Sequence, residues 1–360
     1  MPMDAKKFFQ ALFTGANVGE AFQNAEGRIL DPSIALAAAF SRRFSDEDSF
    51  EKTLDSKIFL SRKDFPSLKE REVVRFPSGK NMLCGYLYRV DLAKGLLIYV
   101  HGIKGQADDY YAIGEDYFVR MGYDVFAIDL TASGRSQGMG IDGLHQSALD
   151  VKAAYEYILS RGDFDAMPKY LFGHSWGAYG VGASLNFPAV RPNAIAVLSG
   201  FDTPLKEMLG LPASKIGFEV DFGKEELEAA LKARCGEYYD LSASKGIRNS
   251  KVPAIVLHGD NDTTVPMKAS IFGALNEDEA TKVLIPSRGH ADVFLCDESV
   301  AYANDVRGMG KVMTDVYGKD VTQIPKGMMD SFLSSFDRRM TSLINVKVFE
   351  KIVGFFDAHR

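Results

Sequence analysis

The 360-residue sequence has few cysteines, no excess of positive charge and no long uninterrupted apolar run. Its three cysteines, Cys84, Cys235 and Cys296, are widely spaced and suggest neither a disulfide framework nor a zinc site. The 48 acidic residues outnumber the 42 basic ones, and the net charge of −6 argues against nucleic acid as a partner. The longest apolar runs, such as 34–40, fall far short of the roughly 18 residues that a membrane span needs.

The beginning of the chain does not have the pattern of a secretion signal. Asp4 stands near the start, and Gln10 interrupts the short apolar stretch that follows it. A signal peptide has a continuous hydrophobic region and a small-residue cleavage site, which this segment lacks. Since unpaired cysteines also suit a reducing compartment, we expect a cytoplasmic protein without a membrane span.

Residues 1–68 have a helical character that differs from the rest of the chain. Asp31 followed by Pro32 predicts a helix start, because the aspartate can cap the first turn and proline is tolerated there. Ser45, with the acidic residues after it, predicts a second start. Residues 64–67 are typical of a linker. We therefore expect a helical N-terminal extension, 1–68, and a main domain, 69–360. The extension is expected to pack on the main domain, and a lid or an oligomer contact are the alternatives.

From residue 71 onward, predicted strands alternate with helices. Several of these strands are continuous apolar runs, which is typical of strands covered on both faces. Two strands in series followed by strand–helix repeats predict an α/β fold whose eight-stranded sheet is mostly parallel, with antiparallel strands at its start. The eight expected strands are 72–76, 83–90, 96–100, 124–129, 169–172, 194–198, 254–257 and 282–285.

Two long segments interrupt this alternation. Residues 201–250 separate the sixth and seventh strands by more than an ordinary connection, which predicts a cap insertion. Residues 291–341 form a second, helical insertion before the last helix. We expect both insertions to lie near the carboxyl end of the sheet. Their apolar residues are expected either to belong to the hydrophobic core or to line an apolar pocket. The apolar residues that suggest this are Leu205, Met208, Leu209, Leu211, Ile216 and Phe218 in the first, and Met309, Met313, Met328, Met329, Phe332, Phe336 and Met340 in the second.

The strongest chemical signal is the pentapeptide Gly-His-Ser-Trp-Gly at 173–177, between a predicted strand and a predicted helix. This is the G-x-S-x-G pattern of a nucleophile elbow, in which a tight turn presents the serine hydroxyl at the top of the sheet. The two glycines are needed because side chains there would clash with neighbouring backbone. Ser175 is therefore the candidate nucleophile.

A serine hydroxyl becomes a good nucleophile only when a base takes its proton, so a histidine and an orienting acid should follow. His290 lies in a loop directly after the last predicted strand. Asp260 and Asp262 follow the preceding strand, and Asp202 follows the sixth. The order serine, acid, histidine is thus available, with three candidates for the acid.

These motifs together resemble the α/β-hydrolase fold serine hydrolases over about residues 71–290 and the last helix. Residues 101–105, His-Gly-Ile-Lys-Gly, resemble the family's H-G-x-x-G oxyanion loop, and 129–136 resemble its D-x-R-G-x-G-x-S loop, although the arginine is missing. The resemblance implies a catalytic triad of Ser175, Asp262 and His290. It also implies an oxyanion hole from the backbone N–H groups of Ile103 and Trp176, with no metal or cofactor.

The resemblance leaves more than one function open. The oxyanion loop and the elbow favour a carboxylesterase or a lysophospholipase-like enzyme acting on a small, lipophilic ester. A serine aminopeptidase or amidase is the alternative, since Trp176 after the nucleophile also occurs in that group, and Glu207, Glu219 or Asp221 could anchor a substrate amine. A non-catalytic binding protein is disfavoured because all three triad positions are filled. A homo-oligomer remains open.

Overall fold

The computed structural model describes residues 28–29, 31–41, 43–109, 111–204, 207, 219–220 and 223–360, and an eight-stranded sheet organises this part of the chain. The strands are β1 (Glu72–Ser78), β2 (Asn81–Tyr88), β3 (Leu96–Val100), β4 (Asp124–Asp129), β5 (Lys169–His174), β6 (Ala194–Leu198), β7 (Ala254–Gly259) and β8 (Thr281–Ile285). A separate short parallel pair joins Arg28–Ile29 to Glu219–Val220.

The strand order across the sheet is β1-β2-β4-β3-β5-β6-β7-β8. Strand β2 is antiparallel to both of its neighbours, β1 and β4, and every other neighbouring pair is parallel. The predicted mostly parallel sheet with antiparallel strands at its start is therefore confirmed. The strand expected at 83–90 begins and ends two residues earlier, at 81–88, because Ser78 pairs with Asn81 in a tight hairpin.

Helices cover both faces of this sheet, and two apolar cores result. On β3, Ile98 and Val100 point into one core, while Leu97 and Tyr99 point into the other, as the alternation of a strand requires. The helices are α1 (Pro32–Phe40), α2 (Glu47–Glu51), α3 (Leu54–Ile58), α4 (Ala112–Arg120), α5 (Gln146–Arg161), α6 (Trp176–Ser184), α7 (Lys224–Cys235), α8 (Ala243–Ser250), α9 (Ile271–Ala274), α10 (Asp297–Tyr317), α11 (Lys326–Ser334) and α12 (Val346–Asp357). Helices α5 and α6 pack in the first core, and α4 and α12 pack in the second.

The described part of the N-terminal extension packs on the sheet domain. Asp31 caps α1 as expected, through a 2.8 Å hydrogen bond from the Ser33 N–H. The second expected start was wrong by one residue: Asp46 caps α2, and the Ser45 hydroxyl instead donates to the carbonyl oxygen of Gly105. Residues 64–67, expected as a linker, span the end of one 3-10 turn, Arg62–Asp64, and most of a second, Pro66–Leu68, which ends at the fully buried Leu68.

The structure describes the first insertion, 201–250, only in part and the second, 291–341, throughout. The residues proposed to form an apolar cap, Leu205, Met208, Leu209, Leu211, Ile216 and Phe218, lie outside the described residues. In the second insertion, Met313 and Phe332 are buried, whereas Met309 and Met328 are exposed, so its methionines do not form one continuous wall. Within the described ranges, no helix combines the length and the apolar character needed to cross a membrane.

Candidate functional site

Ser175 occupies a strained turn between the end of β5 and the start of α6. Its backbone φ is 56° and ψ is −120°, a conformation that residues with a side chain rarely adopt. A Cβ at Gly177 would collide with the carbonyl oxygen of Val100, and one at Gly173 with the backbone of Gly177. The two glycines therefore permit the turn, which places Ser175 at the carboxyl end of a central strand.

Ser175, His290 and Asp262 form a continuous hydrogen-bonded chain. The His290 Nε2 atom lies 2.7 Å from the Ser175 Oγ atom, and His290 Nδ1 lies 2.7 Å from Asp262 Oδ2. An ionised carboxylate can only accept, so Nδ1 carries the hydrogen and Nε2 accepts from the serine hydroxyl. In this arrangement the imidazole can take the serine proton directly.

The Asp262 carboxylate is held by backbone as well as by His290. Its Oδ1 atom accepts hydrogen bonds from the N–H groups of Thr264 and Val265, each at 2.9 Å. Burial, the strongest single influence, would raise the pKa of Asp262, but His290 and the Val265 N–H together hold this pKa below its ordinary value. Asp262 is therefore ionised at neutral pH and can stabilise a positively charged imidazole.

The two other acid candidates are engaged elsewhere. The Asp202 carboxylate accepts from the Ser242 hydroxyl at 2.9 Å and from the Ser244 N–H at 3.0 Å, at the start of α8. Asp260 is exposed and accepts from the Arg288 N–H at 3.3 Å. The geometry thus favours Asp262 over both.

His101 fixes the orientation of the loop after β3. The Leu130 N–H donates to His101 Nε2 at 3.0 Å, so the other ring nitrogen, Nδ1, donates to the carbonyl oxygen of Gly102 at 2.7 Å. Burial lowers the pKa of His101 to about 4 and keeps the ring neutral. Because C=O and N–H point in opposite directions across a trans peptide, the Ile103 N–H faces away from His101. A Cβ at Gly102 would lie 3.1 Å from the Ser175 Cβ, so this peptide lies beside the serine.

Asp129, at the start of the loop that resembles D-x-R-G-x-G-x-S, connects two loops rather than facing the serine. Its carboxylate accepts from the Tyr86 hydroxyl at 2.8 Å, the Ala107 N–H at 2.9 Å and the Arg135 N–H at 2.8 Å. Burial is the main influence on this group and raises its pKa. The loop 129–136 therefore supports the loop after β3.

Sequence reasoning missed Tyr111, which contacts the histidine of the elbow. The Tyr111 hydroxyl lies 2.7 Å from His174 Nδ1, and His174 Nε2 lies 2.9 Å from the carbonyl oxygen of His290. Tyr111 precedes His174 by 63 residues, and no local pattern marks it in the sequence. His174, the second residue of the elbow, thus contacts the loop 286–291 after β8 that carries His290, called here the base loop. In the described ranges, no group of three or more His, Cys, Asp or Glu is arranged to hold a metal ion.

Residues 91–200 match the model of a family described as serine aminopeptidase, S33. An acylaminoacyl peptidase from Pyrococcus horikoshii has a similar structure, with 16% identity and a TM-score of 0.50 over 73% of this chain and 44% of the peptidase. The chain has the α/β-hydrolase fold. An esterase from Pyrococcus furiosus is also similar, with 16% identity and a TM-score of 0.47 over 71% of this chain and 93% of the esterase. No curated protein matches the chain.

The matched residues contain the loop 101–105 and the pentapeptide 173–177. They end at residue 200, before Asp262 and His290, so the family model covers the serine but not its two partners. The acylaminoacyl peptidase is 16% identical, so this similarity shows the fold and not the substrate. The comparisons therefore leave the substrate undecided.

Proposed function

We propose that the protein is a serine hydrolase that cleaves a carboxylic ester through an acyl-enzyme intermediate. The observation that carries this proposal is the hydrogen-bonded chain from Ser175 through His290 to Asp262, with 2.7 Å at each link. A nucleophile, its base and the acid that orients the base are the parts that acyl transfer needs.

The proposed reaction follows from these positions. His290 takes the Ser175 proton as the serine oxygen attacks the ester carbonyl carbon, and a tetrahedral oxyanion forms. His290 then returns the proton to the leaving alcohol as the acyl-enzyme forms. Water, with His290 again acting as the base, attacks the acyl-enzyme, releases the acid and restores the serine hydroxyl.

Two backbone N–H groups are proposed to bind the oxyanion. Trp176 is the first residue of α6, and the first N–H groups of a helix have no partner within that helix. The Ile103 N–H faces away from His101 in the peptide that lies beside Ser175. Each such donor contributes on the order of 3 kcal/mol to transition-state stabilisation in serine hydrolases.

A serine aminopeptidase is the second candidate. The description of the matching family favours it, and the sequence places Trp176 after the nucleophile. An aminopeptidase needs an acidic group for the substrate amine; of the three acids considered, Glu207 is buried, Glu219 lies in a two-residue strand, and Asp221 is outside the described residues. Since nothing marks one of them as an anchor, we favour the ester.

The two candidates are separated by parallel assays of p-nitrophenyl esters and aminoacyl p-nitroanilides. We expect ester hydrolysis with a kcat/KM well above that for every anilide. A higher kcat/KM for an aminoacyl anilide would contradict the ester hydrolase and support the aminopeptidase. Ser175→Ala in both assays serves as the control for background hydrolysis.

A further inference from the structure

We propose that Tyr111 and His174 are positioning residues that fix the backbone of His290 and connect it to the oxyanion loop. The inference rests on the proposed function of Ser175 and His290. Tyr111 and His174 are 2% and 1% exposed, so their hydrogen bonds are shielded from water. Their hydrogen bonds run from Tyr111 to His174 and from His174 to the His290 carbonyl oxygen, so we infer that they act through the base loop.

The direction of both hydrogen bonds follows from the chemistry of the groups. The His290 carbonyl oxygen can only accept, so His174 Nε2 must carry a hydrogen and donate it. A neutral imidazole then has an acceptor at Nδ1, and the Tyr111 hydroxyl must be its donor. Burial, reinforced by the nearby His290, lowers the pKa of His174 to about 3, so the ring remains neutral. The His290 carbonyl oxygen therefore selects the tautomer of His174, and the Tyr111 hydroxyl donates to the ring nitrogen that this tautomer leaves without a hydrogen.

The ring of Tyr111 also lies against the oxyanion loop. A Cβ at Gly102 would be 2.5 Å from the Tyr111 hydroxyl oxygen, and one at Gly105 would be 2.6 Å from the ring carbon Cε2. The ring also packs nearly perpendicular to that of Phe294, four residues after His290, with 5.6 Å between ring centroids. One tyrosine thus contacts the loop of the proposed oxyanion donor and the loop of the proposed base.

This connection has a consequence for rate rather than for substrate affinity. Transfer of the serine proton and binding of the oxyanion require both loops to be placed within a few tenths of an ångström. Without the Tyr111 hydroxyl, the buried Nδ1 atom of His174 would lose this donor, and the ring would be held less firmly in the position from which Nε2 donates to the His290 carbonyl oxygen. The base loop would then be positioned less precisely, whereas no group that we propose to contact the ester is removed.

The test compares kcat and KM for p-nitrophenyl butyrate in Tyr111→Phe and in a matched control, Tyr123→Phe. Tyr123 is fully buried, and its hydroxyl donates to Asp357 at 2.8 Å near the amino end of β4, away from the serine. We expect Tyr111→Phe to lower kcat about tenfold, the effect of one lost hydrogen bond, and to leave KM within about twofold. Tyr123→Phe should change only the urea midpoint. Equal kcat values in wild type and folded Tyr111→Phe would overturn the proposal.

Variants of His174 provide a second, independent test. A glutamine at 174 can place its amide nitrogen where the imidazole Nε2 lies and still donate to the His290 carbonyl, whereas an asparagine is too short. We expect His174→Gln to retain more of kcat than His174→Asn, and Tyr111→Phe to cause no further loss in the His174→Gln background, where its acceptor is gone. If the losses in kcat from Tyr111→Phe and His174→Gln are additive, or if kcat is equal in the two His174 variants, the proposed positioning role is contradicted.

The same assay separates this proposal from the proposed function. If Ser175→Ala retains the hydrolysis, the serine mechanism itself fails. If Ser175→Ala is inactive and folded Tyr111→Phe keeps the wild-type kcat, only the positioning role fails.

Discussion

Replacing Asp262 by asparagine would change the hydrogen bonding of the site at one atom. The asparagine Oδ1 can still accept from the Thr264 and Val265 N–H groups, which now bind Asp262 at 2.9 Å. Its amide nitrogen, however, carries hydrogens where Asp262 Oδ2 now accepts from His290 at 2.7 Å. Two donors cannot face each other, so the imidazole would take the tautomer whose hydrogen points at Ser175 and would no longer be a base.

The expected loss in kcat is on the order of 10⁴-fold, or about 5.5 kcal/mol in activation free energy. Stability should change much less, by about 1 kcal/mol, because both backbone hydrogen bonds remain and only the bond to His290 is lost. The loss in kcat is the larger effect because catalysis depends on the tautomer of His290, whereas stability loses only one hydrogen bond.

The assay is steady-state hydrolysis of p-nitrophenyl butyrate, accompanied by urea unfolding. Asp202→Asn and Asp260→Asn are the matched controls: the first should lower stability because Asp202 holds the start of α8, and the second should change little because Asp260 is exposed. If Asp202→Asn lowers kcat more than Asp262→Asn does, the acid has been assigned to the wrong strand.

Three further predictions concern the elbow, the buried acid and the pocket. Gly177→Ala should abolish soluble expression or activity, because its Cβ would collide with the Val100 carbonyl oxygen; a folded variant with wild-type kcat would contradict this. Burial raises the pKa of Asp109 to about 8, so the folded state holds a proton that the unfolded state releases, and stability from this residue falls as pH rises from about 4 to about 8. Urea midpoints at about pH 5 and about pH 9 should therefore differ less in Asp109→Asn than in wild type. For the proposed lipophilic substrate, kcat/KM should rise from acetyl to butyryl or hexanoyl esters by about 0.8 kcal/mol per buried methylene, and a flat series would indicate a shallow site.

The sheet could be predicted from the sequence because its strands are continuous apolar runs. Strands such as Leu96–Val100 and Ala194–Leu198 begin and end where the apolar residues do, and the structure has them at those bounds. Strand β2 was displaced by two residues because its first residues, Asn81 and Met82, are fixed by pairing across a hairpin rather than by apolar character. Pairing partners are not visible in a local pattern.

The candidate site likewise has residues that a local sequence pattern marks and residues that only the folded chain reveals. The elbow and the loops that carry Asp262 and His290 have short motifs, and the structure brings these three side chains together. Tyr111 has no such motif, because its role depends on a contact with His174 that only the folded chain creates. The apolar pocket stays a prediction, because the apolar residues of the first insertion that suggested it lie outside the described residues.

Labelling with a fluorophosphonate probe tests most directly that Ser175 is the nucleophile. The probe should modify the wild-type protein at Ser175, identified by mass spectrometry of the labelled peptide, and should leave folded Ser175→Ala unlabelled. The same variant should lose on the order of 10⁴-fold or more in kcat for any hydrolysed ester. Undiminished labelling or hydrolysis by Ser175→Ala would contradict the account.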